Sequence, residues 1–280
     1  RSLLIFYSGW NASRPLDSSF IKAAAVIELV HLATLVHDDI LDDAEIRHQR
    51  LTVSQKFGSS AAVLFGDALF AHALKLAAEF PTVDICRMVS QATRRVCAGE
   101  IQQNFLKGYT NLTLEQYFRI IELKTAELFW LSTRVGGFLA GFPEDYLRGL
   151  ETYGRHLGIA YQIFDDVTDL FGEEAKTGKT LGTDLNHGKY TLPLLLLFHE
   201  LGTSERNALI KNVQQQDSSE ELDLRLLFQK YAISSKTRSY FKQQLDLSSE
   251  GLQMLPEQDA TTKLLSINTL IDDQMAKFLG

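Results

Sequence analysis

The sequence predicts an all-α protein, a single-domain bundle of about ten or more helices around a central cavity. Apolar residues recur at helical spacing along most of the chain, and the alternation typical of strands is nearly absent. The five prolines fall mostly at predicted helix boundaries. Neither an internal repeat nor a long linker divides the 280 residues, which are enough to build one substantial core. We therefore expect one domain over residues 1–280.

Local signals predict the individual elements in chain order. Residues 11–17 are polar and predict a loop, whereas residues 23–36 and 157–164 are apolar runs that predict buried helices. Pro81 and Pro143 each lie in a short segment that predicts a turn between helices.

The second half of the chain carries clear start and loop signals. Thr113 is followed three residues later by Gln116, which predicts a capping box at the start of the helix that carries Lys124. Residues 172–186 predict the longest loop of the chain, with a composition that suits a lid. Polar, amphipathic helices are expected over residues 203–220 and 235–250.

Composition limits the class of protein. The net charge of −7 argues against a general nucleic-acid binder. We find no signal peptide and no apolar stretch that approaches the ~20 residues of a membrane span. Cys86 and Cys97 lie outside any Cys-x-x-Cys motif and are expected to be buried thiols in a reducing compartment. We therefore expect a cytoplasmic protein.

Two aspartate clusters far apart in the chain share one spacing and one setting. They are Asp38, Asp39 and Asp42, and Asp165, Asp166 and Asp169. Each follows an apolar run, and in a helix the first and last aspartates of each cluster lie on one face. One such pair alone is more often a solvated face, but carboxylates at the ends of two apolar helices require a cation between them. Because Mg²⁺ takes carboxylate oxygens and shares its shell with phosphate, we interpret the clusters as a metal-bridged diphosphate site.

Basic residues follow both clusters. Arg47, His48 and Arg50 come after the first, and a lysine- and glycine-rich segment over residues 176–184, then Lys189, comes after the second. Glycine lets backbone N–H groups approach an anion, and lysine supplies charge for phosphate. A structural helical protein with acidic faces would not explain this segment. Carboxylates for metal and cations for phosphate indicate two halves of one site.

The chain resembles the trans-isoprenyl diphosphate synthases, also called polyprenyl synthetases, over nearly its whole length. The matching motifs run in the family's order: residues 31–39, Gly66-Asp67, Gly99-Glu100 with Gln103, Lys124-Thr125, and residues 161–166 through 188–193. The resemblance implies the isoprenoid synthase fold with a central substrate cavity, a further helical segment before Arg1, a homodimer, and prenyl transfer. In that reaction an allylic diphosphate ionises, isopentenyl diphosphate attacks the carbocation, and a proton leaves.

The resemblance also implies Mg²⁺ as cofactor, about three ions per active site, and a role for each site residue. The implied direct metal ligands are Asp38, Asp42 and Asp165, with Asp39, Asp166 and Asp169 acting through water or by orienting ligands. The implied catalytic set is Asp38, Asp42, Asp165, Arg47, Lys124 and Lys179. The three cations in that set would contact the allylic diphosphate, Thr125 and Gln162 would stabilise the allylic positive charge, and Lys189 would bind substrate near the lid. Lys124 has an alternative role, since Glu122 and Glu127 could pair with it on a surface.

The diphosphate of isopentenyl diphosphate needs a second cationic pocket, which the family builds without metal. By resemblance Arg1 and His31 belong to it; a lone histidine on an apolar helix is more often a core residue, but its spacing from the first aspartate favours the pocket. The sequence departs from the family at His48: the family has two consecutive arginines here, whereas in this chain Arg47 is followed by a histidine. Histidine has shorter reach and only fractional charge, which predicts weaker substrate binding unless Arg50 replaces it.

Product length in the family depends on an apolar tunnel below the first aspartate cluster, which large aromatics close early. Here the relevant positions hold Ala33 and Thr34. Small side chains favour a long all-trans product of about six or more isoprene units, as in quinone side-chain precursors. Candidates for the tunnel wall, equally compatible with ordinary core packing, are Phe65, Phe70, Leu74, Leu128, Phe129 and Trp130.

Three alternatives stay open. A shorter-chain synthase, which makes geranylgeranyl or farnesyl diphosphate, would use the same chemistry. A non-catalytic regulatory subunit of such an enzyme would not need both intact aspartate clusters, although His48 keeps this alternative open. A class I terpene cyclase would have no use for Arg1 and His31. For the leading interpretation we expect peripheral contact with a membrane for product release, and no nucleic-acid partner.

Overall fold

The computed structural model describes residues 1–11, 17–47, 49–171, 188–215, 224–253, 255 and 259–279. Within these ranges the chain is helical apart from its connections and one small hairpin. The helices are α1 (Ser2–Ser8), α2 (Ser18–Leu41), α3 (Val53–Phe57), α4 (Ser59–Ala78), α5 (Val83–Leu106), α6 (Leu114–Ile121), α7 (Glu127–Leu139), α8 (Glu144–Phe171), α9 (Leu192–Glu200), α10 (Thr203–Gln215), α11 (Leu224–Lys230), α12 (Ile233–Gln253) and α13 (Asp259–Leu279). One π-helical turn, Glu122–Ala126, joins α6 to α7 without a break. The all-α prediction is confirmed.

A short hairpin after α2 was not predicted. Strand β1 (Ile46–Arg47) pairs antiparallel with β2 (Arg50–Leu51), and Arg47 lies opposite Arg50. The turn between them includes Gln49 in the left-handed region, at φ 62°. Two-residue strands are too short to show periodicity in a sequence. The hairpin reverses the chain directly after the first aspartate cluster.

Capping side chains begin several helices, as local propensity requires. The capping box of Thr113 and Gln116 is present and opens α6. At the start of α2 the Asp17 carboxylate accepts a hydrogen bond from the Ser19 amide at 2.8 Å. Pro193 lies in the first turn of α9, where a missing N–H has no cost.

Helix α8 packs extensively against both α7 and α12. Its Tyr153 is fully buried and donates a hydrogen bond to the backbone carbonyl of Leu264 on α13, at 2.8 Å. The buried apolar residues form two clusters. The first includes residues of α7, α8, α9 and α12, and the second joins α2, α4, α5 and α7. The two clusters meet along α7, so the helices that carry the aspartates pack on a common neighbour.

Two glycines allow neighbouring helices to approach the π-turn. A Cβ atom on Gly99 of α5 would lie 2.7 Å from the Lys124 amide nitrogen, and one on Gly158 of α8 would lie 2.5 Å from the Ala126 Cα. Both contacts are with backbone, which a side-chain rotation cannot relieve. The π-turn is therefore held closely between α5 and α8, with Lys124 and Thr125 on it.

Two helices pass the length and composition test for a membrane span, contrary to the sequence-based expectation. The mean hydropathy reaches 1.7 in α2 and 1.5 in α4. The buried share of these windows is 39% for α2 and 22% for α4, and a core helix of a globular protein passes the same test. Many of the apolar residues are alanines, which raise hydropathy without forming one uninterrupted apolar run. The test is weak support for a span.

The cysteine expectation was half wrong. Both cysteines are free, but only Cys86 is partly buried, whereas Cys97 is exposed. Helix α5 turns Cys97 outward because Val96 and Gly99 occupy its buried face.

Candidate active site

Four helical segments direct side chains into one cavity of about 450 Å³. The lining residues are His31, Thr34, Leu35, Asp38 and Asp42 on α2; Glu100, Gln103, Leu106 and Lys107 at the end of α5; Tyr117, Ile120, Ile121, Lys124, Thr125 and Leu128 from α6 to α7; and Tyr161, Gln162, Asp165, Asp166 and Asp169 on α8. Because residues three and four apart share a helix face, each segment presents one continuous stripe. Arg1, Arg47, Leu112 and residues 188–191 complete the lining. The fold thus brings both aspartate clusters to a single cavity.

Asp39 is the member of the first cluster that turns away from the cavity. Its carboxylate is 5% exposed and accepts a hydrogen bond from Arg47 Nε at 2.7 Å. Burial raises the pKa of Asp39, and the Arg47 guanidinium opposes that rise. The contact draws Arg47 from the hairpin back onto α2, so Asp39 orients a cation at the cavity wall.

Asp42 is held by Lys189. The Lys189 ammonium donates to Asp42 Oδ2 at 2.6 Å. Burial acts to raise the pKa of Asp42, but Lys189, Lys124 and Lys107 together lower it below its usual value. The Gly108 amide donates to the Gly188 carbonyl at 2.8 Å and fastens the segment that carries Lys189 to the end of α5.

Lys124 lies between α2 and α5. Its ammonium donates to Glu100 Oε2 and Gln103 Oε1, each at 2.9 Å, and lies 3.5 Å from Asp38 Oδ2. Burial acts to lower the pKa of Lys124, but Asp38 and Glu100 raise it further, so the side chain stays protonated. Burial raises the pKa of Glu100 to about 7, with Asp38 adding to the effect.

The alternative partners of Lys124 face elsewhere. Glu127 accepts a hydrogen bond from Arg95 at 2.6 Å, and Glu122 pairs with Arg155 and Arg95. These ion pairs lie behind the π-turn, whereas Lys124 faces the cavity. Surface pairing of Lys124 with Glu122 or Glu127 does not occur.

A chain of hydrogen bonds links the π-turn to the second aspartate cluster. Thr125 Oγ1 donates to Gln162 Oε1 at 2.6 Å, and Gln162 Nε2 donates to Asp166 Oδ1 at 2.8 Å. The Tyr117 hydroxyl donates to the other oxygen of Asp166 at 2.5 Å. Asp166 is 3% exposed. Its carboxylate is thus fixed by two side chains, while Asp165 lines the cavity beside it.

Arg1 and His31 are in direct contact, as their common assignment to one pocket requires. Arg1 Nη1 donates to His31 Nε2 at 2.5 Å, so the imidazole is neutral with its proton on Nδ1. Burial lowers the pKa of His31 to about 3, and the neighbouring Arg1 adds to the effect. The Arg1 guanidinium also lies 5.3 Å from the centre of the Phe129 ring. His31 therefore acts as a hydrogen-bond partner and not as a cation at neutral pH.

The charges of the cavity suit an anionic substrate that carries metal. Of the described residues, six carboxylates and five lysine or arginine cations line it. Asp38 Oδ1 is buried and has no hydrogen-bond partner among the described residues, which leaves a lone pair for a ligand. No group of three His, Cys, Asp or Glu side chains in the described ranges is close enough to hold a metal by itself. A Mg²⁺ ion that shares its shell with diphosphate needs only one or two carboxylates, and these oxygen donors fit it.

Several predicted residues are not assembled at the cavity. His48 and Lys179 lie outside the described residues, as does the loop over residues 172–186. Among the described residues Thr34 lines the cavity, but Ala33 is fully buried within the bundle and does not. Arg50 is exposed on the hairpin.

The tunnel candidates separate by position. Leu128 lines the cavity, whereas Phe65 and Leu74 are exposed on α4. Phe129, Phe70 and Trp130 pack in or against the apolar clusters.

Several cavity residues have no role in the sequence-based interpretation, among them Glu100, Gln103, Lys107 and Tyr117. Glu100 and Gln103 were noted only as a motif, although they hold Lys124, and Lys107 and Tyr117 were not noted as site residues. Helical spacing contained a signal for Lys107 and Tyr117: Lys107 is four residues after Gln103, and Tyr117 is seven before Lys124, so each shares a helix face with a residue of a matching motif.

Known proteins resemble this chain along most of its length. The model of the polyprenyl synthetase family matches residues 1–230. Octaprenyl diphosphate synthase of Escherichia coli strain K12 is 34% identical over 242 residues, which cover 86% of this chain and 75% of that protein. A decaprenyl diphosphate synthase structure from Rhodobacter capsulatus aligns with a TM-score of 0.88 at 29% identity, covering 98% of this chain and 85% of the other.

A geranylgeranyl pyrophosphate synthetase structure from Pyrococcus horikoshii aligns almost equally well. Its TM-score is 0.87 at 31% identity, and the alignment covers 97% of this chain and 84% of the other. The structural matches confirm the predicted isoprenoid synthase fold. Their names span several product lengths, so similarity alone does not select one.

Proposed function

The chain belongs to the polyprenyl synthetase family, and from that premise we propose that it is a Mg²⁺-dependent trans-prenyltransferase that adds isopentenyl diphosphate repeatedly to an allylic diphosphate. Family membership supports prenyl transfer in isoprenoid biosynthesis with these two substrates. The observation that carries the proposal is the single cavity in which both aspartate clusters meet five cations.

The cations would bind and stabilise the allylic diphosphate as it departs. Ionisation transfers several negative charges to the leaving group, and preorganised donors at that point lower the barrier. Lys124 is protonated and buried, and Lys189 and Arg47 already lie on carboxylates beside it. Substrate oxygens would compete with those carboxylates for the same N–H groups. We assign Lys179 to the same diphosphate by family resemblance alone.

Mg²⁺ would be held by Asp38, Asp42 and Asp165, with Asp39, Asp166 and Asp169 supporting them, and about three ions are expected. When bound, it supplies Lewis-acid stabilisation of the departing charge and a template for both substrates. The Oδ1 atom of Asp38, which has no hydrogen-bond partner among the described residues, supports this assignment. Asp166 acts here through its hydrogen bonds with Tyr117 and Gln162, which keep α8 in register with the π-turn.

Thr125, Gln162, Arg1 and His31 would act on the organic part and on the second diphosphate. The hydroxyl and amide oxygens of Thr125 and Gln162 present lone pairs that stabilise an allylic cation without capturing it covalently. Arg1 binds the diphosphate of isopentenyl diphosphate, and neutral His31 orients it through the 2.5 Å hydrogen bond. His48 joins this pocket by resemblance.

We propose a long-chain product. Thr34 is a small side chain on the cavity wall below Asp38, and Leu35 and Leu128 add apolar surface there. An apolar pocket beneath convergent polar groups suits a growing hydrocarbon chain. The shorter-chain alternative predicts the same ionisation chemistry and differs only in product length.

We also propose a homodimer. Helix α4 exposes a run of large apolar side chains, with Leu64 at 69% exposure and Phe65 at 48%, and Phe105 near the end of α5 is 84% exposed. Large exposed apolar surfaces mark interaction sites more often than free surfaces. A second copy is the occupant that family resemblance implies.

The assay that tests the function uses purified protein with Mg²⁺, farnesyl diphosphate and labelled isopentenyl diphosphate, with the products sized by chromatography. We expect incorporation, and a loss of about 10²-fold or more in Asp38→Asn and Asp165→Asn. Asp145→Asn, on the exposed start of α8, is the matched control and should keep full activity. Absence of incorporation with every allylic primer would favour the non-catalytic subunit, and short products would favour the shorter-chain synthase.

A further inference from the structure

Four charged side chains form a hydrogen-bonded network behind the π-turn, on the side away from the cavity, and Arg119 lies 3.7 Å from Glu122 at its edge. Arg95 of α5 donates through Nε to Glu127 at 2.6 Å and through Nη2 to Glu122 at 3.3 Å. Arg155 of α8 donates to the same oxygen of Glu122. None of these four side chains lines the cavity among its described residues. The network therefore lies outside the site described above.

The network contacts the π-turn at both of its ends. Glu122 is the first residue of the turn and Glu127 directly follows its last, so an anchored carboxylate lies at each end of the turn. Arg95 ties both carboxylates to α5, and Arg155 ties Glu122 to α8. The anchors thus connect the turn to both helices that flank it.

A π-turn needs such support because π-helical winding is rare and occurs mostly as single turns inserted into α-helices, frequently at functional sites. Relaxation to α-helical winding would rotate the following residues around the helix axis and move Lys124 and Thr125 relative to the cavity. Gly99 and Gly158 provide the space for the turn on two sides, but space alone does not hold it.

The burial of the charged residue Glu127 is a second observation that points to a positioning role. This carboxylate is 3% exposed and sits at the start of α7, although the cavity makes no use of it. Buried ion pairs contribute little net stability compared with apolar residues of the same size, and their better attested use is to specify one register. A register function is what the two-ended anchoring of the turn would provide.

We propose that Arg95, Glu122, Glu127 and Arg155 are positioning residues that hold the π-turn in the register in which Lys124 faces the diphosphate. The inference rests on the proposed function, because it takes Lys124 as a substrate contact. Arg95 is the central member, since among the described residues it alone donates hydrogen bonds to both carboxylates.

The chain offers a matched control. Arg134 on α7 is also a partly buried arginine that pairs with two carboxylates, Glu144 at 2.9 Å and Glu151 at 2.7 Å. It lies beyond the π-turn, on the other half of α7. A general effect of removing an arginine with two partners should appear in both variants, whereas an effect on the register of Lys124 should appear only in Arg95.

The experiment is a double-mutant cycle between Arg95→Gln and Lys124→Ala, read as kcat and KM for farnesyl diphosphate and as binding of farnesyl thiolodiphosphate by calorimetry. We expect Arg95→Gln to lower kcat/KM by about tenfold or more, since displacements of about 1 Å have effects of this size. In the Lys124→Ala background the same change should have less than about a twofold effect, because the group it positions is gone. Arg134→Gln should leave kcat and KM unchanged in the wild-type background and cause no further change in the Lys124→Ala background.

Equal losses in the two backgrounds, or no loss in the wild-type background, would overturn the positioning role. If Arg95→Gln does not fold, Arg155→Gln tests the same cycle from the α8 side, and Arg95→Lys should partly restore activity. Failure of the proposed function is distinguishable, because wild-type protein would then neither incorporate isopentenyl diphosphate nor bind the thiolodiphosphate.

Discussion

At the scale of single residues, the cavity is a set of charges that already have protein partners. Lys124 meets Glu100, Gln103 and Asp38, and Lys189 meets Asp42. Bringing like carboxylates this close in a poorly solvated place would be costly without cations between them. The lysines therefore serve two purposes, since they stabilise the folded site and are positioned to bind phosphate oxygens.

The protonation state of His31 can be tested by measuring how the stability of the protein depends on pH. Its pKa is lowered from 6.5 to about 3 by burial and by Arg1. In the unfolded chain His31 therefore becomes protonated below about pH 6.5, whereas in the folded chain it stays neutral down to about pH 3. The free energy of unfolding must fall as the pH decreases through this window, and the contribution is fully present above it.

We predict that His31→Gln flattens this acid dependence, because glutamine stays neutral and its oxygen can accept the Arg1 hydrogen bond. Between about pH 7 and about pH 4 the wild type should lose about 2 kcal/mol more free energy of unfolding than the variant, an order-of-magnitude value for a partly buried group. Urea titrations at several pH values measure the difference. Curves that stay parallel over the whole window would show that His31 is not the titrating group.

At the scale of elements, the π-turn decides which way Lys124 and Thr125 face. Its neighbours are adapted to it at the backbone level, since Gly99 and Gly158 allow α5 and α8 to touch it. A helix-interior glycine normally destabilises its helix by up to ~1 kcal/mol relative to alanine. Here close approach outweighs intrinsic propensity.

Gly99→Ala therefore separates the two effects by sign. Propensity alone would stabilise the protein by about 1 kcal/mol, but the new Cβ would meet the Lys124 amide nitrogen at 2.7 Å. We expect net destabilisation of about 1–3 kcal/mol and loss of activity, because the π-turn must shift. Gly202→Ala is the control, since its nearest neighbour would be a side-chain oxygen at 3.7 Å, and its effect should stay within about 0.5 kcal/mol. A stabilised, fully active Gly99→Ala protein would contradict the close-contact argument.

At the scale of the whole molecule, two surfaces have consequences that no single element decides. One is the apolar floor of the cavity, built from α2 and α7 together. The other is the exposed apolar face of α4 and the end of α5, which the bundle leaves without a partner within the described chain. Each leads to a prediction.

Product length should respond to bulk on α2. Because Thr34 lines the cavity and Ala33 does not, Thr34→Phe should shorten the product toward about three or four isoprene units with the first condensation little changed. Ala33→Phe should shorten it only if the helix rotates or repacks, and at a larger loss of stability. Leu32→Phe, on the exposed side of the same helix, is the control. Chromatographic sizing of products decides; an unaltered distribution in both Thr34→Phe and Ala33→Phe would remove the basis for the long-chain proposal.

Assembly should respond to charge on α4. Leu64→Glu places a carboxylate in the proposed interface, where desolvation of an unpaired charge opposes association. Sedimentation velocity should show a dimer for the wild-type protein and a monomer for this variant. Leu270→Glu, at a similarly exposed site on α13, should remain dimeric. If both variants sediment as the wild type does, the α4 face is not the interface.

Much of this protein follows from the sequence alone. Helical periodicity and the scarcity of breakers were sufficient for the all-α class, and the Thr113–Gln116 capping box was located to the residue. The aspartate spacing was sufficient to put Asp38 and Asp42 on one face, because a helix repeats every 3.6 residues. These properties are local, so a local pattern contains them.

Other properties exist only in the folded chain. The sequence could not show that Lys124 pairs with Glu100 and Asp38 rather than with nearby Glu122 and Glu127, because the choice depends on the π-turn and on how closely α5 approaches it. The same holds for Asp39, whose side chain turns away from the cavity toward Arg47. Partners far apart in sequence compete for one charge, and only packing, which fixes distance and burial, decides between them.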